Sequence, residues 1–200
     1  MSQSPDFIAT QLPEALRNFF IASDATALKK AYFETAEMSK DRLPEVKDWQ
    51  QVEYVFTRLF VGPKALEAPP FASVYLENEP LVMGPTTMMV RSVYEMMGLV
   101  SPWKNALPED HVSFELDAAM VMQKAAQQVQ SAELDELRHF FVCRHMASWI
   151  PAFVKCVSRA ESAHPSIVRA AELAGQWVDD QAALINAQRN QHLKKGGWNG

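Results

Sequence analysis

Glycine is scarce, with seven in 200 residues, and none stands in a spacing that wraps a phosphate. Neither a Walker loop nor a dinucleotide-binding turn is available. Cysteine is scarcer still. Cys143 and Cys156 fall within helical patterns and lack metal-ligand spacing, so they read as small buried apolar residues of a reducing compartment. Positive charge is in deficit: 19 Lys and Arg face 24 Asp and Glu, for a formal net charge of -5. That excludes the basic footprint a general nucleic-acid or anionic-membrane binder needs, though a basic peptide stays admissible. No apolar run is long enough to span a bilayer. Met1–Asp6 has no basic region leading into an apolar core, so no signal peptide is expected. The expectation is a cytoplasmic protein with no stable membrane insertion and no nucleic-acid partner.

Catalytic signatures are missing as well. The five histidines are His111, His139, His145, His164 and His192, and none belongs to a His-Glu-x-x-His pair. A zinc or iron set could be assembled from His111, Glu115, His139 and His145, but no spacing demands it. No serine or cysteine stands beside an evident base. The sequence calls for no catalytic residue, no metal and no cofactor.

What is present is a helical, apolar chain. Hydrophobic residues make up 48% and charged residues 22%, a globular composition large enough for one domain. Helical spacing dominates. Thr10 predicts a helix start with Leu12, Leu16, Phe19 and Phe20 inward. Asp24 predicts a cap for a helix carrying Leu28, Ala31 and Tyr32. Pro44 predicts the start of a third, with Val46, Trp49, Val52, Phe56, Leu59 and Phe60 inward, stopped by Gly62-Pro63. Residues 62–85 are broken by prolines and glycines. Within them Ala72–Leu76 reads as extended, and the whole segment as a functional loop or hinge. Pro85 opens the next helix and Gly98 stops it. Residues 99–108, holding Pro102 and Trp103, form a connection. Pro108 predicts the start of a helix that is apolar on nearly every side, hence central. Ser131 predicts the start of a long helix, with Leu134, Leu137, Phe140 and Phe141 inward and a bend or break at Pro151. Pro165 opens the last helix, with Ile167, Ala171, Ala174, Val178 and Ile185 inward. The expected fold is all-α: one helical domain with an N-terminal portion 1–61, a Pro-rich hinge 62–85, a C-terminal portion 86–192 and a frayed tail 193–200.

One polar cluster stands out, Pro108-Glu109-Asp110-His111 with Glu115 four residues on. Acids in a first helical turn complement the dipole, so a well-capped helix accounts for them. A binding site accounts for them too, and pattern alone leans toward the cap. The ten methionines read chiefly as core, although methionine-rich surfaces adapt to varied helical ligands.

Several motifs in order resemble the TorD/DmsD family of cytoplasmic molybdoenzyme chaperones. These are Arg58-Leu59-Phe60-Val61-Gly62-Pro63, then Pro69-Pro70-Phe71-Ala72-Ser73-Val74-Tyr75-Leu76. Met83-Gly84-Pro85-Thr86-Thr87 follows, with Arg91, Tyr94 and Gly98-Leu99. Next come Pro108-Glu109-Asp110-His111 with Glu115-Leu116, then His145-Met146 with Trp149, and Ala163-His164-Pro165. The resemblance spans roughly residues 52–185. It departs at Tyr75, where DmsD-like members carry tryptophan, at Ser148 in place of proline, and at Ser166-Ile167 in place of an aromatic pair.

The resemblance implies a chaperone, not an enzyme. Such a chaperone binds the twin-arginine leader, the apo body, or both, of a molybdenum-cofactor reductase subunit, and holds it until cofactor insertion precedes Tat export. Glu109 and Asp110 would then pair with leader arginines and His111 would set the local geometry. Pro108 and Glu115 complete the polar end. Phe71, Ser73, Tyr75 and Leu76, with Pro69, Pro70 and Val74, would wall an apolar groove for the leader's hydrophobic run. A NarJ-like chaperone for a non-exported subunit, or a helical adaptor without leader binding, keeps the same fold. Some family members are known to interact with GTP, but no phosphate loop is present here. Family members occur as monomers and as domain-swapped dimers, and hinge 62–85 would permit either.

Overall fold

The computed structural model describes residues 5–63, 65–79, 83–100 and 107–196, with side chains from 11 to 191 within those spans. Met1–Ser4, Pro80, Pro102, Trp103, residues 197–200 and the side chains of Thr10 and His192 lie outside the described residues.

The first helix, α1 (Pro5–Phe20), starts earlier than Thr10 predicts and carries Pro13 in its interior. Pro5 stands first, where a missing N–H costs nothing. Helix α2 (Ala25–Ser39) starts on Asp24, whose carboxylate accepts from the Ala27 amide at 2.8 Å. Helix α3 (Trp49–Phe56) starts later than Pro44 predicts. Asp48 caps it, accepting from the Gln50 and Gln51 amides, while the Pro44 carbonyl accepts the Tyr32 hydroxyl. A π-helical turn, Thr57–Val61, follows and ends at Gly62, whose φ of 97° suits glycine.

Residues 72–76 are helical, not extended. They form the short helix α4 (Ala72–Leu76), because an acceptor distant in sequence caps them, as described below. Helix α5 (Pro85–Met96) opens on Pro85 and is closed by Gly98 at φ 64°. Helix α6 (Val112–Gln128) is buried along most of its first twelve residues. It starts four residues after Pro108, because His111 and not a residue of the acidic pair is the cap.

Helix α7 (Ala132–Arg138), capped by Ser131, runs through a π-helical stretch, His139–Met146, into α8 (Ala147–Arg159). Pro151 does not break α8. It faces solvent, where the carbonyl it leaves unbonded can be served by water. The irregularity lies upstream, where the Ala147 amide reaches back to the Val142 carbonyl. Widening the turn by one residue shifts the inward stripe, and Phe140, predicted inward, is 42% exposed. Helix α9 (Pro165–Gly196) runs past residue 192, so the helix covers the start of the expected tail.

Helix α1 packs on α2 and α6, and α8 packs on α9. A chain of edge-to-face rings crosses the core from Phe19 to Phe56, Phe60, Phe20 and Phe153. Each such pair contributes about 0.5–1.5 kcal/mol beyond burial. Trp149, fully buried, ends this chain against Phe153. Cys143 and Cys156 are only half-buried; their thiols point at the Ala182 and Glu67 carbonyls. Among the described residues the fold is all-helical, and the β feature present is one isolated bridge, Phe71 to His111.

Candidate functional site

That bridge organises the site. The loop before α4 lies antiparallel to the loop before α6. The Val112 amide donates to the Pro70 carbonyl at 2.9 Å, and the Ala72 amide to the Asp110 carbonyl at 3.0 Å. Asp110 completes the capping of α4: its Oδ2 accepts from the Ser73 amide at 2.9 Å and its Oδ1 from the Thr87 hydroxyl at 3.0 Å. One fully buried carboxylate thus joins the starts of α4, α5 and α6.

Glu109 is held by Arg91. The guanidinium Nε reaches Oε1 at 3.0 Å, and Nη2 reaches both carboxylate oxygens at 2.9 Å. The Arg91 side chain is 28% exposed and that of Glu109 only 7%. The carboxylate is thus roofed by its partner.

His111 caps α6 through Nδ1, which accepts the Ser113 amide at 3.2 Å and sits 2.7 Å from the Ser113 hydroxyl. Its ring packs between Phe71 and Phe114. Burial pulls the imidazole down to about 4, so it is neutral at physiological pH. The same device recurs before α9, where His164 Nδ1 accepts the Ser166 amide at 3.2 Å.

Glu115 belongs to a second, deeper knot. Its Oε1 meets His145 Nε2 at 2.7 Å, and its Oε2 accepts the Trp149 indole N–H at 2.8 Å. Burial pushes the carboxyl up. Burial also opposes a charged His145, but the adjoining Glu115 outweighs it, and the imidazole stays above its usual range. The two groups titrate as a coupled pair. Tyr75 links the knots: its ring stacks on Trp149 at 5.7 Å and its hydroxyl donates to the Pro69 carbonyl.

The structure therefore brings Phe71, Ser73, Glu109, Asp110 and His111 together behind Pro108, with Tyr75 leading down to Glu115. Asp110, His111 and Glu115 are buried with their side-chain groups engaged. Leu76 and Val74 stand outside this knot and are exposed, as are Met83 and Met88 beside Arg91. Arg91, Thr87, His145 and Trp149 are the partners that sequence reasoning left unassigned. They stand inside the motifs that carry the resemblance, and that was the available signal. Among the described residues no group of three or more His, Cys, Asp or Glu side chains is gathered to hold a metal, and no helix is long and apolar enough to cross a membrane.

The family described as nitrate reductase delta subunit matches residues 21–155. The Tat proofreading chaperone DmsD of Salmonella typhi is 30% identical over 167 residues, covering 82% of this chain and 71% of that protein. The chain belongs to the TorD/DmsD family of redox-enzyme maturation chaperones. The chaperone protein TorD of Vibrio cholerae serotype O1 is 28% identical over 120 residues, 58% of this chain and 54% of that protein. The fold is shared with the crystal structure of a redox enzyme maturation protein from Archaeoglobus fulgidus. There the TM-score is 0.55 at 18% identity, over 93% of this chain and 98% of that one. The TorD/DmsD family is one of molybdoenzyme maturation chaperones, and this member is not a catalyst.

Proposed function

We propose that this chaperone binds the twin-arginine leader of a molybdenum-cofactor reductase subunit in the cytoplasm, at the surface where Arg91 covers Glu109. The observation that carries this reading is that bidentate pair. A carboxylate already shaped around one guanidinium, with Met83 against that guanidinium and Val74, Leu76 and Met88 exposed elsewhere on α4 and α5, suits a peptide with arginines followed by an apolar run. Glu109 receives a leader arginine in exchange for Arg91. Pro108 and Phe71 border it, and Tyr75 and Leu76 form the apolar wall. Asp110, His111, Ser73 and Glu115 act as positioning residues that hold the wall and the carboxylate in register. The acidic net charge favours encounter with a basic leader.

Calorimetry with a synthetic leader peptide tests this. Glu109→Gln should weaken binding by about 0.5–1 kcal/mol, since the leader guanidinium only takes the place Arg91 already holds. A leader with both arginines changed to lysine should lose affinity for the wild type and be nearly indifferent to Glu109→Gln. If the folded Glu109→Gln protein binds the leader like wild type, the assignment fails. The match to the nitrate reductase delta subunit family supports a second reading, recognition of the enzyme body. Capture of a leaderless client with undiminished affinity would favour it.

A further inference from the structure

At the other end of α6, a cavity of about 660 Å³ opens between the end of that helix, the start of α7 and the C-terminal half of α9. Gln123 in its lining is twelve residues beyond His111, about 18 Å along the helix by its rise per residue, so the cavity is separate from the site above. Its size falls in the range of about 300–1,000 Å³ typical of small-molecule sites.

Two of its side chains have polar groups without a protein partner. Arg138 is 6% exposed. Its Nη1 donates to Gln188 Oε1 at 3.3 Å, and among the described residues no carboxylate lies within ion-pair distance of it. A guanidinium has five N–H donors, and those of Arg138 not given to Gln188 are open to solvent rather than to another protein group, since Gln123 Oε1 is the shielded side-chain atom without a partner among the described residues. Burial pulls its pKa below the usual arginine range, and the field of Asp135 only partly offsets that. Gln123 is 5% exposed, and its Oε1 is shielded from solvent with no hydrogen-bond partner. The last torsion of a glutamine is soft, so the carboxamide can turn its oxygen toward the cavity.

We propose that this cavity binds a small monocarboxylate carrying an amide N–H and an apolar side chain, as in an N-acylated amino acid. The carboxylate takes the free edge of Arg138, since arginine and carboxylate match in a bidentate fork. The N–H serves the Gln123 oxygen, and the apolar group lies against Ile185 and Leu184 on α9. The charge balance selects a monoanion. Arg189 is already committed to Glu136 at 2.6 Å, and Asp135 and Glu136 on the same wall repel a dianionic phosphate.

The full-length protein titrated with N-acetyl-L-leucine, its neutral C-terminal amide and inorganic phosphate tests this. N-acetyl-L-leucine should raise the melting temperature progressively up to about 20 mM, as ligand linkage requires. The neutral amide should bind at least about tenfold more weakly, and phosphate should not compete. Arg138→Met should abolish the acid's effect while raising the ligand-free melting temperature, because it removes a buried, under-paired cation. Gln123→Met should weaken binding several-fold and leave the fold intact. The comparison of acid with amide on the wild type needs no variant. Equal response to acid and amide, displacement by phosphate, or no response to the acid would overturn the proposal.

Discussion

His111 and Arg91 show how single side chains set the behaviour of this chaperone. His111 caps α6 only as a neutral imidazole, and burial lowers its pKa from 6.5 to about 4. Between those values the unfolded chain takes up a proton that the folded chain refuses. This contribution to stability is therefore whole above about pH 6.5 and is lost as pH falls toward 4, by at most about 3 kcal/mol. The raised His145 works in the opposite sense, since its contribution is present at low pH and lost as pH rises. His111→Asn, which keeps a capping acceptor, isolates the effect. Urea midpoints at pH 7 and pH 5 should drop less for this variant than for the wild type. Arg91 gives a sign-inverted prediction. If Arg91 is the occupant a leader arginine replaces, Arg91→Gln should destabilise the free protein. It should also increase the melting-temperature gain on adding leader, measured side by side with the wild type. A variant that loses leader response would place Arg91 in direct contact with the peptide instead.

At the level of elements, α4 depends on a residue 37 positions away. Asp110 supplies both its carbonyl and its carboxylate to the Ala72 and Ser73 amides. Asp110→Ala should speed hydrogen exchange at residues 72–76 more than in α1 or α9, and lower global stability by about 1–3 kcal/mol through the unpaired buried donors. Uniform exchange across all helices would show that the cap matters only globally. This dependence explains which parts of the fold were legible. Long stripes such as Leu16–Phe20 and Ile167–Ile185 declare themselves by periodicity. So do caps with local partners, Asp24, Ser131 and Gly98. Helix α4 does not, since five residues have too little periodicity and their cap is remote in sequence. The π-helical stretch His139–Met146 is equally silent, because the extra residue per turn has no composition of its own. Prolines misled in both directions. Pro44 and Pro108 resemble starts but precede the true caps Asp48 and His111, while Pro13 and Pro151 sit inside helices. For the candidate site, the sequence marks the cluster at 108–115 by its charge and spacing. It does not mark the partners Arg91, Thr87, His145 and Trp149, because pairing across 18 to 34 residues leaves no local trace.

Across the whole molecule, segment 62–85 is tied at several points. The Ala68 amide reaches the Leu59 carbonyl, the Glu67 carbonyl accepts the Cys156 thiol, and Phe71 bridges to His111. Exchange of the N-terminal helices between two chains would have to open the Phe71–His111 bridge and the stack of Tyr75 on Trp149 in each. The wild-type chain is therefore expected to run as a monomer in size-exclusion chromatography with light scattering. Asp110→Ala, which loosens the bridge, should raise the dimer fraction. A wild-type dimer at micromolar concentration would show that this segment exchanges despite its ties.

The Arg91–Glu109 pair has a consequence for how cargo is let go. On the proposed docking, a leader arginine arriving at Glu109 would meet no bare charge; it would substitute one guanidinium for the one Arg91 already supplies. The gain from the polar contact is then a small difference between two similar pairs, and most of the holding force falls to the apolar run that follows. Affinity becomes tunable by the client's hydrophobic sequence. On that same reading, Arg91 would be a built-in competitor whose return closes the site behind a departing leader without any source of energy.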